Sequence, residues 1–145
     1  MQVGEIFNWK DFPYQYNGDI KSRYFIYMGK THFSIEQALA YLYTTTGRLE
    51  YYKKGRERSN NSYLLFKRGE YCFKNDCILD FDIGLHEIKL SSIEGNGNIE
   101  ILDRLEEEKI AEIYGYIRKS SIAKVIKVDI HSSLNLGGIT GLRKP

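Results

Sequence analysis

Cysteine, proline and tryptophan are scarce in this chain, with two cysteines, two prolines and one tryptophan among 145 residues. Cys72 and Cys77 lie five positions apart, which on a strand would direct them to opposite faces. Two thiols cannot supply the four ligands of a structural zinc site, and His32, His86 and His131 are scattered without ligand spacing. We therefore expect two reduced thiols, no metal site and no cofactor.

Long apolar runs are also absent. No stretch approaches the roughly 18 apolar residues of a membrane span. The first residues, MQVGEIFNWK, lack the basic start and apolar run of a signal peptide. The hydrophobic share of 42% and the charged share of 28% are ordinary for one globular domain. We expect a cytoplasmic protein with no membrane contact.

Tyrosine and phenylalanine, in contrast, are abundant, with 12 and 7 residues. Tyrosine suits half-buried sheet surfaces, and it also stacks on unpaired bases. A β-rich fold alone would explain the same count. The formal net charge is only +2, so an interaction with nucleic acid would need a local basic patch.

The pattern of apolar and turn-forming residues predicts many short strands and few helices. Strands are predicted at residues 3–7, 23–29, 42–46, 49–53, 77–81 and 85–90, with a hairpin of 62–66 against 71–73. A capping box at Ser34 and Gln37 predicts a short inserted helix to about residue 40. A helix is predicted from Asp103 to about residue 118, with a second short helix near 122–126.

These elements indicate a mainly β fold with α elements, of the α+β class, arranged as a small barrel or strongly bent sheet. The predicted C-terminal helices follow this sheet in the chain. We predict a single domain over residues 1–133. The Gly-rich segment 134–145 is predicted to be a flexible tail.

The most basic segment is residues 48–74, where eight basic residues stand against three acidic ones, for a net charge of +5. Aromatic residues are interleaved with the charges, as in surfaces that bind phosphates and stack bases. A solvated hairpin with inward-facing aromatics would give the same pattern. The RNA-binding candidates are Arg48, Tyr51, Lys53, Lys54, Arg56 and Arg58.

A second candidate site combines Arg23 with Thr44, Thr45 and Thr46. Residues 8–22 contain the turn signal Asn17-Gly18-Asp19, and Arg23 follows this loop at the start of a strand. A guanidinium there can hold a phosphate, and a threonine hydroxyl can donate to another phosphate oxygen. These are groups that cleavage of RNA by its own 2′-hydroxyl requires. The threonines would also be ordinary strand residues.

The order of these features resembles the MazF/PemK toxin family. The resemblance rests on Gly4-Glu5-Ile6, the loop with Gly18, Arg23 opening an apolar strand, and the strand that ends in the three threonines. It continues through residues 75–82, a turn, Glu87-Ile88 and the helix after Asp103, and so covers roughly residues 3–119.

The resemblance implies an SH3-like barrel, a homodimer, an antitoxin partner and metal-independent cleavage of single-stranded RNA to a 2′,3′-cyclic phosphate. It also implies that Arg23 and one of the three threonines, with Thr45 as the best match, are catalytic. It supplies no separate base, for which Asp19, His32 and Glu36 are candidates.

Two other functions fit the same sequence. The family usually has proline after the loop arginine, where this chain has Tyr24, and residues 47–75 are longer than expected. These departures suit a non-catalytic nucleic-acid-binding module. A protein-interaction module that uses exposed tyrosines and the Gly-rich tail is the other alternative.

Overall fold

The computed structural model describes residues 1–13, 22–32 and 37–145. Within these ranges the strands are β1 Glu5–Trp9, β2 Arg23–Lys30, β3 Leu39–Thr46, β4 Tyr63–Phe66, β5 Cys77–Asp80, β6 Leu85–Lys89 and β7 Ile99–Arg104. The helices are α1 Leu90–Ile93, α2 Glu107–Lys119 and α3 Lys124–Leu136, with a 3-10 helix at Leu49–Tyr52.

The seven strands form one antiparallel sheet: six follow the order β4-β5-β3-β2-β1-β7, and β6 pairs with β3 beside this path. Strand β3 is central: one edge pairs with β2, and the other edge pairs first with β6 and then with β5. Strands β5 and β6 therefore follow one edge of β3 in succession, separated by a short turn at residues 81–84. Over the described residues, β4 and β7 are the ends of the sheet, which is not closed.

Helices α2 and α3 cover one side of the sheet, which we call the helix face. Tyr41 donates a hydrogen bond to Asp129 of α3 at 2.6 Å. Phe81, which packs on Tyr43, stacks on Tyr116 of α2 with ring centroids 4.9 Å apart. Because side chains alternate along a strand, Leu42 and Thr44 point to the opposite side. We call that side the site face.

Two predictions in the middle of the chain are wrong. The predicted strand 49–53 is the 3-10 helix, whose buried Tyr52 bonds to Asp80 instead of joining a strand ladder. The predicted hairpin partner 71–73 is a turn, since Tyr71 has a positive φ of 50° and β4 pairs with β5 instead. Tertiary contacts override the β propensity of the tyrosines in both places.

The C-terminal third also departs from the sequence prediction. Asp103 lies in β7, which pairs with β1, and the helix begins at Glu107. The spacing of its apolar residues is confirmed, because Ile110, Ile113, Tyr114 and Ile117 are all buried. Helix α3 extends to Leu136, past the predicted start of the tail.

The predicted tail makes several contacts. Leu134 and Ile139 are buried in the core, and His131 contacts the carbonyl oxygen of Leu142 at 3.2 Å. The boundary drawn at residue 134 thus falls inside α3. The flexibility of residues 134–145 stays a prediction.

The mainly β, α+β class is confirmed. The start of the predicted inserted helix, residues 34–36, lies outside the described ranges; the rest of the prediction is wrong, because residues 37–38 are not helical and Leu39 and Ala40 belong to β3. No helix in the described part of the chain is long and apolar enough to cross a membrane.

Candidate functional site

Arg23, Thr44 and Thr46 share the site face at one end of the sheet. Arg23 pairs with Trp9, the last residue of β1, and Phe25 pairs with Thr44. Paired residues in antiparallel strands direct their side chains to the same face. Continuing the register of β2 and β3 sets Arg23 opposite Thr46. The structure therefore brings together the arginine and two of the three predicted threonines.

Thr45 lies on the helix face instead. It pairs with the fully buried Leu79, and its hydroxyl hydrogen-bonds the thiol of Cys77. Burial raises the pKa of this thiol to about 11, although the bond from Thr45 acts in the opposite direction. The geometry separates Thr45 from Arg23, so the strand threonine that can act with Arg23 is Thr44 or Thr46.

Thr44 lies at the position on β3 where the pairing changes from β6 to β5. Its main-chain N–H donates to the carbonyl of Gly84 at 3.0 Å, and its hydroxyl donates to the carbonyl of Tyr24 at 3.1 Å. Gly84 closes the turn by donating to the carbonyl of Asp80 at 2.9 Å. A Cβ atom at Gly84 would lie 2.4 Å from that same carbonyl oxygen, so only glycine fits. This turn holds the β3 end beside the two following strands.

His86 is a third polar group on the site face, and the sequence did not single it out as functional. It pairs with Leu42 and is half-buried, with its ring edge-on to Phe12 and Phe25 at centroid distances of 5.8 and 5.6 Å. Burial, and then the positive charge of Arg23, lower the pKa of His86. The sequence contained one indication that His86 faces the interior: it is two residues from the buried Ile88, and strand alternation places both side chains on one face.

A cluster of arginines surrounds Tyr51, which we call the Tyr51 cluster. The guanidinium carbons of Arg48, Arg56 and Arg58 lie 5.9, 5.8 and 5.1 Å from the centre of its ring. These are cation–π distances. Lys53 and Lys54 are exposed beside the cluster. Three of the six predicted RNA-binding residues thus place positive charge against the half-buried ring of a fourth, Tyr51.

Asp80 anchors the segment that carries this cluster. Its carboxylate is buried and accepts hydrogen bonds from Tyr52 at 2.7 Å and from Asn61 at 2.8 Å. It also accepts main-chain bonds from Asp82 and Ile83. Burial, and then the bond to Asp80, raise the pKa of Tyr52 to about 12, so its hydroxyl keeps its proton. One buried carboxylate therefore ties the basic segment to the turn between β5 and β6.

The Tyr51 cluster and the group on the site face adjoin each other. The main-chain N–H of Arg48 donates to the hydroxyl oxygen of Thr46 at 3.2 Å. Arg23, Thr44, Thr46 and the cluster therefore form one continuous region at the end of β3. Guanidinium groups can neutralise successive phosphates there, and an aromatic ring can stack an unpaired base.

The candidate base His32 lies outside this region, against helix α3. The His32 ring contacts the Ser133 hydroxyl of α3 at 2.7 Å, and its main-chain N–H donates to Asp129 at 3.3 Å. Asp19 and Glu36 fall outside the described residues. Among the residues that are described, no group of three or more histidine, cysteine, aspartate or glutamate side chains could hold a metal ion.

Comparison with known proteins gives no match: no family model, no curated protein and no solved structure is significantly similar to this chain.

Proposed function

We propose that this protein is a metal-independent endoribonuclease that cleaves single-stranded RNA, acting as the toxin of a toxin–antitoxin pair. The observation that carries the proposal is the shared face of Arg23, Thr44 and Thr46, directly beside the Tyr51 cluster. Phosphate-stabilising groups and a base-stacking ring then lie along one path for the substrate.

The chemistry needs no metal in this proposal. The 2′-hydroxyl of the RNA attacks the adjacent phosphorus, the bond to the 5′-oxygen breaks, and a 2′,3′-cyclic phosphate forms. Arg23 stabilises the negative charge that develops on the phosphorane, because a fixed cation placed where charge develops lowers the barrier. Thr46, whose hydroxyl accepts a bond from Arg48, donates its own proton to a second phosphate oxygen, or Thr44 does so by releasing its bond to the carbonyl of Tyr24.

Single-stranded RNA fits the site better than a duplex does. A base can stack on Tyr51 only when it is unpaired, and stacking on an aromatic side chain contributes about 1–3 kcal/mol per base. Arg48, Arg56 and Arg58 then neutralise the flanking phosphates. The predicted SH3-like barrel, homodimer and antitoxin belong to the same proposal and derive from the resemblance to the MazF/PemK family.

The first experiment incubates the purified protein with long single-stranded RNA in EDTA, with Arg23→Ala alongside. We expect discrete cleavage by the wild type and a rate lower by about 10²–10³-fold in the variant. Arg143→Ala is the matched control, since Arg143 is exposed and its contact with Tyr114 uses the main chain. Undiminished cleavage by Arg23→Ala would refute the role of Arg23.

A pair of isosteric variants tests which threonine acts. Thr44→Val removes a hydroxyl on the site face, whereas Thr45→Val removes one that bonds Cys77 on the helix face. We expect Thr45→Val to keep cleavage and Thr44→Val, or Thr46→Val if that hydroxyl acts, to lose it. Loss of cleavage in Thr45→Val alone would show that a position on the site face does not identify the catalytic threonine.

A non-catalytic nucleic-acid-binding module is the second candidate, because the Tyr51 cluster can bind a strand without any reaction. This function predicts salt-sensitive binding to single strands by a folded protein that never cleaves them. Weaker binding by Tyr51→Ala, with no cleavage by the wild type, would favour it over the ribonuclease.

A further inference from the structure

His86 has the position that a proton-transfer group in this site would need. It lies on the site face with Thr44, in the strand next to β3, and it is close enough to Arg23 for that charge to act on it. Phe12 and Phe25 meet its ring edge-on, at interplanar angles of 79° and 86°. These aromatic contacts restrict the orientation of the imidazole.

The surroundings of His86 keep the imidazole neutral. Burial, followed by the charge of Arg23, lowers its pKa below the usual value of 6.5. Arg23, from β2, is the charged side chain acting on His86 among the described residues. Phe12 and Phe25, which contact its ring, and Leu42, with which it pairs, are uncharged. A neutral imidazole is a proton acceptor at neutral pH, which is the form a general base requires.

We propose that His86 is the general base that takes the proton from the attacking 2′-hydroxyl of the RNA. The inference rests on the proposed ribonuclease function and adds the group that the family resemblance did not supply. It also separates the roles of two neighbouring side chains: His86 moves the proton, and Arg23 holds the phosphate.

The proposed step moves one proton from the RNA to His86. The 2′-oxygen forms a bond to phosphorus while its proton passes to the free ring nitrogen of His86. The bond between phosphorus and the 5′-oxygen then breaks, and this oxygen takes a proton from water. The imidazolium beside Arg23 is disfavoured once the charged phosphorane has gone, because two positive charges repel each other. His86 therefore releases its proton to solvent and returns to the neutral form.

The test is the pH dependence of cleavage by wild type, His86→Gln and His86→Phe, measured in EDTA under single-turnover conditions. For the wild type we expect the rate to rise with pH up to the pKa of His86 and then to level off. Both variants should be slower by about 10²–10⁴-fold and should lose this acid limb. RNA binding should be unchanged, which a general base predicts and a lost binding contact does not.

The two substitutions guard against loss of folding. Phenylalanine preserves a ring against Phe12 and Phe25, whereas glutamine preserves polarity, so at least one should unfold at nearly the wild-type temperature. A wild-type rate and pH profile in a folded variant, with Arg23→Ala inactive, would overturn the inference and leave the proposed function standing. A wild type that never cleaves RNA would overturn both.

An NMR titration of the His86 ring protons checks the pairing without any activity. In Arg23→Gln the pKa of His86 should move upward, because the nearby positive charge that opposes protonation has been removed. Arg143→Gln, the distant control, should leave it unchanged. An unmoved titration in Arg23→Gln would contradict the coupling on which the assignment depends.

Discussion

Replacement of Asp80 by alanine should strongly destabilise the fold. The carboxylate is only 2% exposed and accepts four hydrogen bonds, three of them at 2.7 or 2.8 Å. Asp82 and Ile83 are exposed residues, so water can reach their main-chain donors once the acceptor is lost. The Tyr52 hydroxyl and the Asn61 amide are less accessible to such a replacement.

The expected loss of stability follows from the hydrogen bonds of Tyr52 and Asn61 to Asp80. A hydrogen bond to a charged group contributes about 1.5–3 kcal/mol, so two of them imply a loss of roughly 3–6 kcal/mol in the free energy of unfolding. Asp80→Asn keeps one oxygen as an acceptor and should lose about half as much. Because the same carboxylate holds the basic segment, both variants should also bind RNA more weakly.

Urea denaturation followed by circular dichroism measures the loss, with Asp82→Ala as the matched control. Asp82 is exposed, and its carboxylate accepts one bond, from the main chain of Ser62 at 2.8 Å. Its removal should cost at most about 1 kcal/mol. If Asp80→Ala were no more destabilising than Asp82→Ala, the anchoring role of Asp80 would be refuted.

Three further predictions concern other parts of the core and the site. Tyr43→Phe should be neutral or stabilising by about 1 kcal/mol in denaturant unfolding, because the hydroxyl is buried and has no hydrogen-bond partner among the described residues; a clear loss of stability would reveal a partner. Gly84→Ala should lower the unfolding temperature and slow cleavage, because the new Cβ would overlap the carbonyl of Asp80 and shift Thr44. A melting curve like that of the wild type would contradict this prediction and show that the turn adapts to a side chain. Cys77 should react with iodoacetamide far more slowly than an unfolded thiol at pH 8, and its rate should increase as the pH approaches 11, because burial raises its pKa and the thiolate is the reactive form. Mass spectrometry of the peptides measures the labelling rate. Rapid labelling at pH 8 would contradict the raised pKa.

The local pattern of the sequence was a good guide to the regular elements of the fold. The apolar runs of β2 and β3 and the helical spacing of α2 identify those elements, because each pattern repeats with the period of one regular structure. Short segments with high β propensity were a poor guide. Residues 49–53 and 71–73 contain tyrosines that suit a strand, yet their contacts with distant partners decide their conformation.

The candidate site also depends partly on local sequence and partly on contacts between distant residues. The sequence alone determined that Arg23 opens a strand, that three threonines end another, and that the basic residues cluster between 48 and 58. Only the tertiary structure placed Thr44 with Arg23 and Thr45 against Cys77, because strand alternation separates neighbours but long-range pairing decides which face each one joins. Likewise the charge of Arg23 acts on His86 from 63 positions away in the chain, because β2, β3 and β6 pair side by side.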